Sequence, residues 1–257
     1  MLNRVAHSAV SVLLLALLTT FGLTASEGVL TEQGNEDRVT SSQDLAAGKR
    51  LYRRKCAMCH GTKGRGDGMV SRYVFPKPRD LSDGLFKIRS TPTGGLPTDQ
   101  DMFDTLTRGM PGTVMPSWAN LSEEQRWQLV QYTKTFSDRF ATERVPEPVS
   151  IGEPKPRYAA SIDAGRRLYI DADCASCHGP GGKGDGPAAN TLTDSWDYPI
   201  VPADLTLSRN WRGGNRPQDV YRSLATGIGG TPMPSFEALS ADQLWDLSNF
   251  LLSLIEE

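Results

Sequence analysis

The arrangement of apolar and polar residues predicts two similar series of short amphipathic helices and little β-strand. Two apolar stripes with helical spacing follow a serine suited to cap a helix, Ser122 in one case and Ser240 in the other, each with a glutamine three residues on. Helices are also predicted before each of two cysteine motifs and near 101–108 and 219–226. The connecting segments rarely alternate like strands. The pattern therefore predicts an all-α protein.

A longer apolar run stands apart at the N-terminus. Arg4 lies in a short polar segment, an uncharged apolar run follows from about Ala9, and small residues surround Ala25. This order is typical of an export signal, and we predict a signal peptide over 1–25 that is cleaved after export. An uncleaved membrane anchor is the alternative, because the run approaches the length of a membrane span. Residues 26–43 are polar and acidic and are predicted to form a disordered lead.

The four cysteines occur in two copies of one motif. Export would favour disulfides, but a histidine follows each pair directly, in the C-x-x-C-H pattern that attaches c-type haem through two thioethers and an iron-binding imidazole. A four-thiolate zinc site is disfavoured because the pairs are 118 residues apart, and a thioredoxin-like pair because no βαβ pattern surrounds either motif. The sequence therefore predicts two covalently bound haem c groups. The residues that attach them are Cys56, Cys59, His60, Cys174, Cys177 and His178.

The separation of 118 residues recurs along the chain. Comparing 101–132 with 219–250 at this offset gives 13 identical residues in 32 positions. Nearer the haem motifs the offset becomes 124, since 78–81 corresponds to 202–205, so the second copy carries a loop insertion. A tandem duplication explains the pattern. The predicted domains are 44–140 and 161–257, joined by an extended, semi-rigid, proline-rich linker over 141–160.

The number of histidines limits the second axial ligand of each haem. Of the three histidines in the chain, His7 lies in the signal segment, so the mature protein retains one for each haem. Methionine is the strong ligand that remains, and the second copy contains a single methionine, Met233. The offset of 118 pairs Met233 with Met115, whereas it pairs Met110 with an isoleucine that cannot bind iron. We therefore predict Met115 and Met233 as iron ligands and Met110 as a packing residue.

The repeated unit resembles the class I cytochrome c family, and the whole chain resembles a diheme member with two such domains. The resemblance covers about 44–139 and 159–257 and rests on C-x-x-C-H, a G-T-x-M-P loop and a terminal helix with W-x-x-x-x-Y/F. It implies a few helices wrapped around each haem. It also implies that a glycine and an aromatic residue of the first helix contact the last helix, and that a proline carbonyl accepts a hydrogen bond from the haem-binding histidine. The residues implied are Gly48 and Tyr52 with Tyr132, Gly165 and Tyr169 with Phe250, and Pro78 and Pro202 as acceptors, with Pro76 and Pro199 as alternatives.

The resemblance further implies electron transfer in the periplasm rather than catalysis. Haems with histidine and methionine ligands have no open position for a substrate, so two of them form a relay between an electron donor and an electron acceptor. We expect redox proteins as partners and no nucleic acid. One alternative is a periplasmic dehydrogenase of the sulfur-oxyanion or alcohol type, or its cytochrome subunit. Another is a subunit of a respiratory complex that is tethered to the membrane through 1–25.

The charge distribution adds an expectation about these partners. The net charge of the chain is −2, yet 44–140 contains 16 basic against 10 acidic residues, and 161–257 contains 7 against 13. A solvated face without a partner is the simplest explanation of such an excess. We hypothesise instead that the first domain attracts an acidic partner and the second a basic one. The basic residues just before the first haem motif are Lys49, Arg50, Arg53, Arg54 and Lys55.

Overall fold

The computed structural model describes residues 41–256 as helices joined by long loops. The predicted signal peptide over 1–25, and the predicted lead up to residue 40, lie outside the described residues. Within 41–256 no strand is formed, although one isolated bridge pairs Thr193 with Pro199. No helix in this part of the chain is long and apolar enough to cross a membrane. The predicted all-α fold is confirmed.

The helices fall into two copies with the same order. The first copy comprises α1 (Ser42–Lys55), α2 (Ala57–His60), α3 (Asp99–Arg108), α4 (Glu123–Lys134) and α5 (Arg139–Thr142). The second copy comprises α6 (Ala159–Asp171), α7 (Cys174–His178), α8 (Pro217–Thr226) and α9 (Ala241–Ser253). In each copy a short helix ends at the motif histidine, and the last long helix packs across the first. The sequence pattern predicts the long helices of both copies but not α5.

Side-chain caps explain where the last long helices begin. The backbone N–H of Gln125 donates to the hydroxyl of Ser122, and the N–H of Ser122 donates to the side chain of Gln125. Ser240 and Gln243 form the same reciprocal pair at the start of α9. Such a capping box satisfies N–H groups that a helix leaves without partners at its start. The caps predicted from the two serines are therefore present.

A capping box also sets the start of α1. The N–H of Asp44 donates to the hydroxyl of Ser41 at 3.1 Å, and the Asp44 carboxylate accepts the N–H of Ser41 at 3.3 Å. The helix consequently begins at residue 42. Residues 42 and 43 are thus helical rather than part of the predicted disordered lead over 26–43, because the cap lies nearer the N-terminus than the apolar pattern does.

The first helix and the last long helix of each copy cross at a glycine. A Cβ atom on Gly48 would lie 2.1 Å from the backbone oxygen of Gln128, and one on Gly165 would lie 2.0 Å from that of Asp246. Glycine therefore allows the two backbones to approach more closely than any other residue would. Aromatic edge-to-face contacts lie beside each crossing. They join Tyr52 to Tyr132 with 5.5 Å between ring centroids and Tyr169 to Phe250 with 5.3 Å. The helix contacts implied by the family resemblance are present.

A segment without helix connects α5 to α6. Because α5 ends at Thr142 and α6 begins at Ala159, only 143–158 of the predicted linker over 141–160 lacks helical structure. The N–H of Val149 donates to the carbonyl of a first-copy residue, Ser90, at 2.8 Å. Near the other end, Lys155 forms an ion pair with a carboxylate of α9 at 2.7 Å. The connecting segment is therefore attached to both copies.

The two copies pack against each other within one compact unit. The guanidinium of Arg79 donates to the carbonyls of Gly229 at 3.1 Å and Gly230 at 3.4 Å. The N–H of Gly229 in turn donates to the carbonyl of Lys87 at 3.1 Å. The loop that follows α8 and leads to Met233 is thus held by residues of the first copy.

Candidate functional site

A first cavity is enclosed by α1, α3, α4 and the loops around them. Cys56, Cys59 and His60 line this cavity, together with Met110 and Met115 from the loop between α3 and α4. Most of the remaining lining is apolar and comes from side chains of α3 and α4 and of the loop after α2. The four predicted site residues of the first copy therefore share one cavity.

A second cavity has the corresponding lining in the second copy. Cys174, Cys177, His178 and Met233 border it, and Ile228 occupies the place that Met110 has in the first cavity. Each haem motif contributes to its own cavity only, so the four cysteines are not gathered into a zinc site. In the part of the chain that the structure describes, no three His, Cys, Asp or Glu side chains are placed to hold a metal ion together.

The four cysteines of the two haem motifs are free thiols. Burial raises the pKa of Cys56 to about 12 and that of Cys174 to about 11. A thioredoxin-like pair works through a thiol of lowered pKa. The pKa of Cys56 and that of Cys174 are raised instead, and the surroundings of both motifs are helical rather than βαβ. The structure therefore gives no support to the alternative of a redox-active dithiol.

Both motif histidines are held by a backbone carbonyl. Nδ1–H of His60 donates to the carbonyl of Arg79 at 3.0 Å, and Nδ1–H of His178 donates to that of Ala203 at 3.1 Å. Burial lowers the pKa of both histidines, so each ring is neutral near pH 7. The carbonyl fixes the tautomer in which Nε2 carries the lone pair that can bind iron.

The identity of these acceptors corrects an expectation. The family resemblance suggested Pro78 and Pro202, but in each copy the acceptor is the next residue along the chain, Arg79 or Ala203. The carbonyl of Pro78 lies against Gly66 instead, where an added Cβ would stand only 2.5 Å from it. Neighbouring carbonyls of an extended chain point in different directions, so a shift of one residue changes which of them faces the ring.

The two methionine loops have the same hydrogen bonds. The N–H of Met110 donates to the carbonyl of Met115 at 3.1 Å, and the N–H of Ile228 donates to that of Met233 at 3.2 Å. The N–H groups of Met115 and Met233 each donate to the hydroxyl of a threonine two residues earlier in the chain. By these hydrogen bonds Met115 is equivalent to Met233, and Met110 is equivalent to Ile228. The offset of 118 gives the same pairs. Both loops hold a half-buried thioether at the wall of a cavity.

Two tyrosine hydroxyls form hydrogen bonds next to the haem motifs, and the sequence did not predict these bonds. Tyr52 donates to the carbonyl of Gly61 at 2.9 Å, and Tyr169 donates to that of Gly179 at 2.6 Å. Each glycine directly follows the motif histidine and has a positive φ of 75° or 76°. Burial raises the pKa of both tyrosines, so they stay protonated donors. The first helix thereby fixes the chain where it leaves the haem motif, and repetition of the tyrosine was the only signal in the sequence.

The residues around each cavity fit a covalently attached haem. In each copy two free thiols and one neutral imidazole with a fixed tautomer border the same apolar space. One methionine thioether borders the second cavity and three border the first, so the donor types that a c-type haem uses are present in both. Glycines let the chain fold back directly over the motif: the N–H of Gly66 donates to the carbonyl of His60 at 3.0 Å. The chemistry of the donors and the shape of the cavities agree.

Each copy matches a family model of its own. A model described as cytochrome c matches residues 162–254, and a model described as cytochrome c oxidase, cbb3-type, subunit III matches residues 43–132. Cytochrome c-554(547) of Halothiobacillus neapolitanus is 34% identical over 93 residues, which are 36% of this chain and 97% of that protein.

Two longer relatives are subunits of cbb3-type cytochrome c oxidases. The CcoP subunit of the cbb3-type cytochrome c oxidase of Rubrivivax gelatinosus is 28% identical over 213 residues, 82% of this chain and 55% of that subunit. CcoP of Azospirillum brasilense is 28% identical over 137 residues, 52% of this chain and 46% of that subunit. The chain thus spans about half the length of these curated relatives.

A solved structure extends the similarity to nearly the whole fold. A chain of the reducing HAO-like protein complex of Kuenenia stuttgartiensis is 42% identical, with a TM-score of 0.80 over 82% of this chain and 96% of that chain. The protein therefore belongs to the cytochrome c family, as a class I electron-transfer cytochrome with two haem domains in tandem and two covalently bound c-type haems.

Proposed function

We propose that this cytochrome is a periplasmic relay that passes electrons between two redox proteins through two haems with histidine and methionine ligands. The single observation that carries the proposal is that both cavities have the same donor set and share lining residues, Pro76 and Lys87. Because one layer of side chains borders both cavities, haems held in them would be near enough to exchange electrons within one chain.

The proposed attachments follow the motifs. In the first domain, proposed as 44–140, Cys56 and Cys59 form the thioethers, and His60 and Met115 bind the iron. In the second domain, proposed as 161–257, Cys177 acts with Cys174, and His178 and Met233 bind the iron. When bound, each haem supplies a one-electron Fe(III)/Fe(II) couple.

The residues of the chain determine how such a couple behaves. The carbonyls of Arg79 and Ala203 orient the two imidazoles and raise their basicity as ligands. Prolines next to Met115 and Met233 restrict the backbone, so a thioether in these loops loses little entropy when it binds. Two protein ligands leave no position for a substrate, and methionine ligation raises the reduction potential. These features support a carrier rather than an enzyme.

The ligand assignment is tested by the absorption spectrum of the oxidised protein. Wild-type protein should show the methionine-to-iron charge-transfer band of two haems, and Met115→Ala should lose about half of its intensity, since one of two equivalent sites is removed. Met110→Ala is the matched control, because it also removes a methionine from the first cavity. It should keep the full band, since Met110 is not an iron ligand in this proposal. Loss of the band in Met110→Ala, or a high-spin haem in the wild-type protein, would contradict the proposal.

Charges at the two cavity edges support partners of opposite charge. All five basic residues before the first motif are exposed, and the last of them, Lys55, also lines the first cavity. At the offset of 118 the equivalent of Lys55 is Asp173, which is exposed and lines the second cavity. Asp171 likewise replaces Arg53. We therefore propose that an acidic redox protein docks at the first haem and a basic one at the second.

Charge reversal distinguishes these two docking sites. Lys55→Glu should slow electron exchange with a small acidic redox protein on the order of tenfold at low ionic strength, and Asp173→Lys should do the same for a basic one. Salt should reduce both effects, because exposed charges are screened. Lys63→Glu is the control, since Lys63 is exposed but lines neither cavity. Equal effects of both reversals on both partners would refute separate docking sites.

A second candidate is a stable subunit of a larger assembly. The solved chain with 42% identity belongs to a protein complex, and the CcoP relatives are subunits of an oxidase. Under this proposal the cytochrome stays bound to its partner rather than diffusing between two of them. Gel filtration of a native extract with haem staining separates the candidates by elution volume. Fractionation before and after a salt wash then tests whether residues 1–25 tether the protein to a membrane.

A further inference from the structure

Lys87 lies where the two haem cavities meet. Its side chain is half-buried and lines both cavities, and its carbonyl accepts the N–H of Gly229 at 3.1 Å, which fixes this part of the backbone against the second copy. Among residues 41–256 no carboxylate forms an ion pair with its ammonium group. A lysine in such a place usually has a counter-ion, because a desolvated charge without one is unfavourable.

Two guanidinium groups make this charge less favourable still. Arg79 lines the first cavity and Arg212 the second, and in each of them a buried Nε lacks a hydrogen-bond partner. Burial and then the charges of Arg79 and Arg212 lower the pKa of Lys87 to about 7, against the opposing effect of Asp194. The carboxylates of Asp194, Asp80 and Asp83 offset the burial of these cations only in part, because they act on Arg79 and, in the case of Asp194, on Lys87, and none of them acts on Arg212.

A purely structural role accounts for only one of the three cations. Arg79 donates to the carbonyls of Gly229 and Gly230, and its guanidinium stacks on Trp196 at 4.3 Å from the ring centroid. These contacts explain its place at the contact between the copies. The charged groups of Lys87 and Arg212 make no comparable bond within the described residues. Their charge therefore fits a group that each cavity accommodates.

We propose that Lys87 is a shared counter-ion for propionate carboxylates of both haems, with Arg79 and Arg212 completing the cationic junction on the first and second side. Each c-type haem carries two propionates, so two haems bring four carboxylates, and an ammonium group has three donors with which to bind them. The inference depends on the two haems and their cavities, and it holds whichever residue is the second axial ligand.

The proposal gives Lys87 a measurable role in both redox centres. A positive charge near a haem favours the reduced iron, which has one positive charge fewer. Loss of the charge should therefore lower the reduction potential. A lysine on one surface of the protein would act on the nearer haem alone, whereas a lysine at the junction acts on both. The number of potentials that shift is thus the signature of a shared counter-ion.

The experiment is a spectroelectrochemical titration of mature protein that contains both haems, comparing wild type with Lys87→Gln. We expect both reduction potentials to fall by about 59 mV, which corresponds to a change on the order of tenfold in the equilibrium constant of each one-electron couple. The matched control is Lys77→Gln. Lys77 lines only the first cavity and donates to the carbonyl of Ser71 at 2.9 Å. It should shift at most one potential.

Other results of this titration would overturn the proposal that Lys87 is a shared counter-ion. A shift of one potential or of none in Lys87→Gln, with both haems present by haem analysis, overturns the proposal. A shift that disappears at high salt overturns it as well, because a charge at a buried junction is weakly screened. Should Lys87→Gln fail to retain both haems, Lys87→Arg must retain them and Arg212→Gln must lower one potential. Unchanged potentials in Arg212→Gln would then refute the cationic junction.

Discussion

The crossing of α1 and α4 at Gly48 allows a sharp test of how the first haem domain is built. In Gly48→Ala the added methyl group would lie 2.1 Å from the carbonyl oxygen of Gln128, whereas ordinary contacts begin at 3.4 Å. The helices must therefore separate by about 1 Å at this point. That separation also loosens the contact between Tyr52 and Tyr132, whose ring centroids are 5.5 Å apart.

The expected magnitude follows from three contributions. Overpacking costs about 1–3 kcal/mol, and weakening an aromatic pair costs about 0.5–1.5 kcal/mol. Alanine recovers about 1 kcal/mol because it is the better helix former. We therefore expect Gly48→Ala to reduce the free energy of unfolding by about 2 kcal/mol. Gly165→Ala should behave alike in the second domain, where the corresponding distance is 2.0 Å.

The assay is urea unfolding of the mature protein, followed by far-ultraviolet circular dichroism and by haem absorbance. Midpoints are compared, because two domains need not unfold in one transition. Gly152→Ala is the matched control: an added Cβ there has no atom within 4 Å, so the same substitution should be nearly neutral. If Gly48→Ala unfolds at the same urea concentration as Gly152→Ala, the close approach of the helices does not stabilise the domain.

Three further substitutions test other parts of the fold, each by the same unfolding assay. Tyr52→Phe should cost about 1 kcal/mol, because it removes the buried bond to the carbonyl of Gly61; an unchanged midpoint would show that this bond contributes nothing. Ser240→Ala should cost about 1 kcal/mol through loss of the cap of α9, and Ser240→Asp should restore it. Burial opposes the charge of Asp219, but Arg216 and Arg222 lower its pKa overall. Asp219→Asn should thus cost about 1–2 kcal/mol at pH 7. A carboxylate whose pKa is lowered by folding stabilises the fold fully above its unfolded pKa and loses this effect as the pH falls through its folded pKa. The difference in stability between wild type and Asp219→Asn should therefore persist down to pH 3.8 and shrink at lower pH.

Short sequence motifs and the repeat predicted most of the helices and the predicted site residues that line each cavity. The two reciprocal caps need only a serine and a glutamine three residues on, and the structure contains both. The covalent motif joins thiols and imidazole within one helical turn, so their common cavity follows from the spacing. The pairing of Met115 with Met233 depends on a constant offset, and the hydrogen bonds of the two loops agree with it. In each case the decisive contacts lie close in sequence or are repeated.

The features that escaped prediction depend on contacts between distant segments. The carbonyl that holds each histidine lies one residue beyond the expected proline, in a stretch where the offset changes from 118 to 124 and no periodic pattern fixes the backbone. Lys87 gave no signal either, because a lysine in a loop is ordinarily exposed. Its place becomes evident only when the second copy packs against the first and forms the other side of the junction.

The inserted loop of the second copy explains why the two copies pack in this way. The loop is closed by the bridge between Thr193 and Pro199 and carries Trp196. The indole Nε1–H of Trp196 donates to the Asp83 carboxylate at 2.6 Å, and its ring lies under the guanidinium of Arg79. The carbonyl of Arg79 holds the histidine of the first haem, while its side chain holds the loop that leads to Met233. The departure from exact repetition thus supplies contacts that an exact repeat would lack. It joins the histidine side of one haem site to the methionine side of the other.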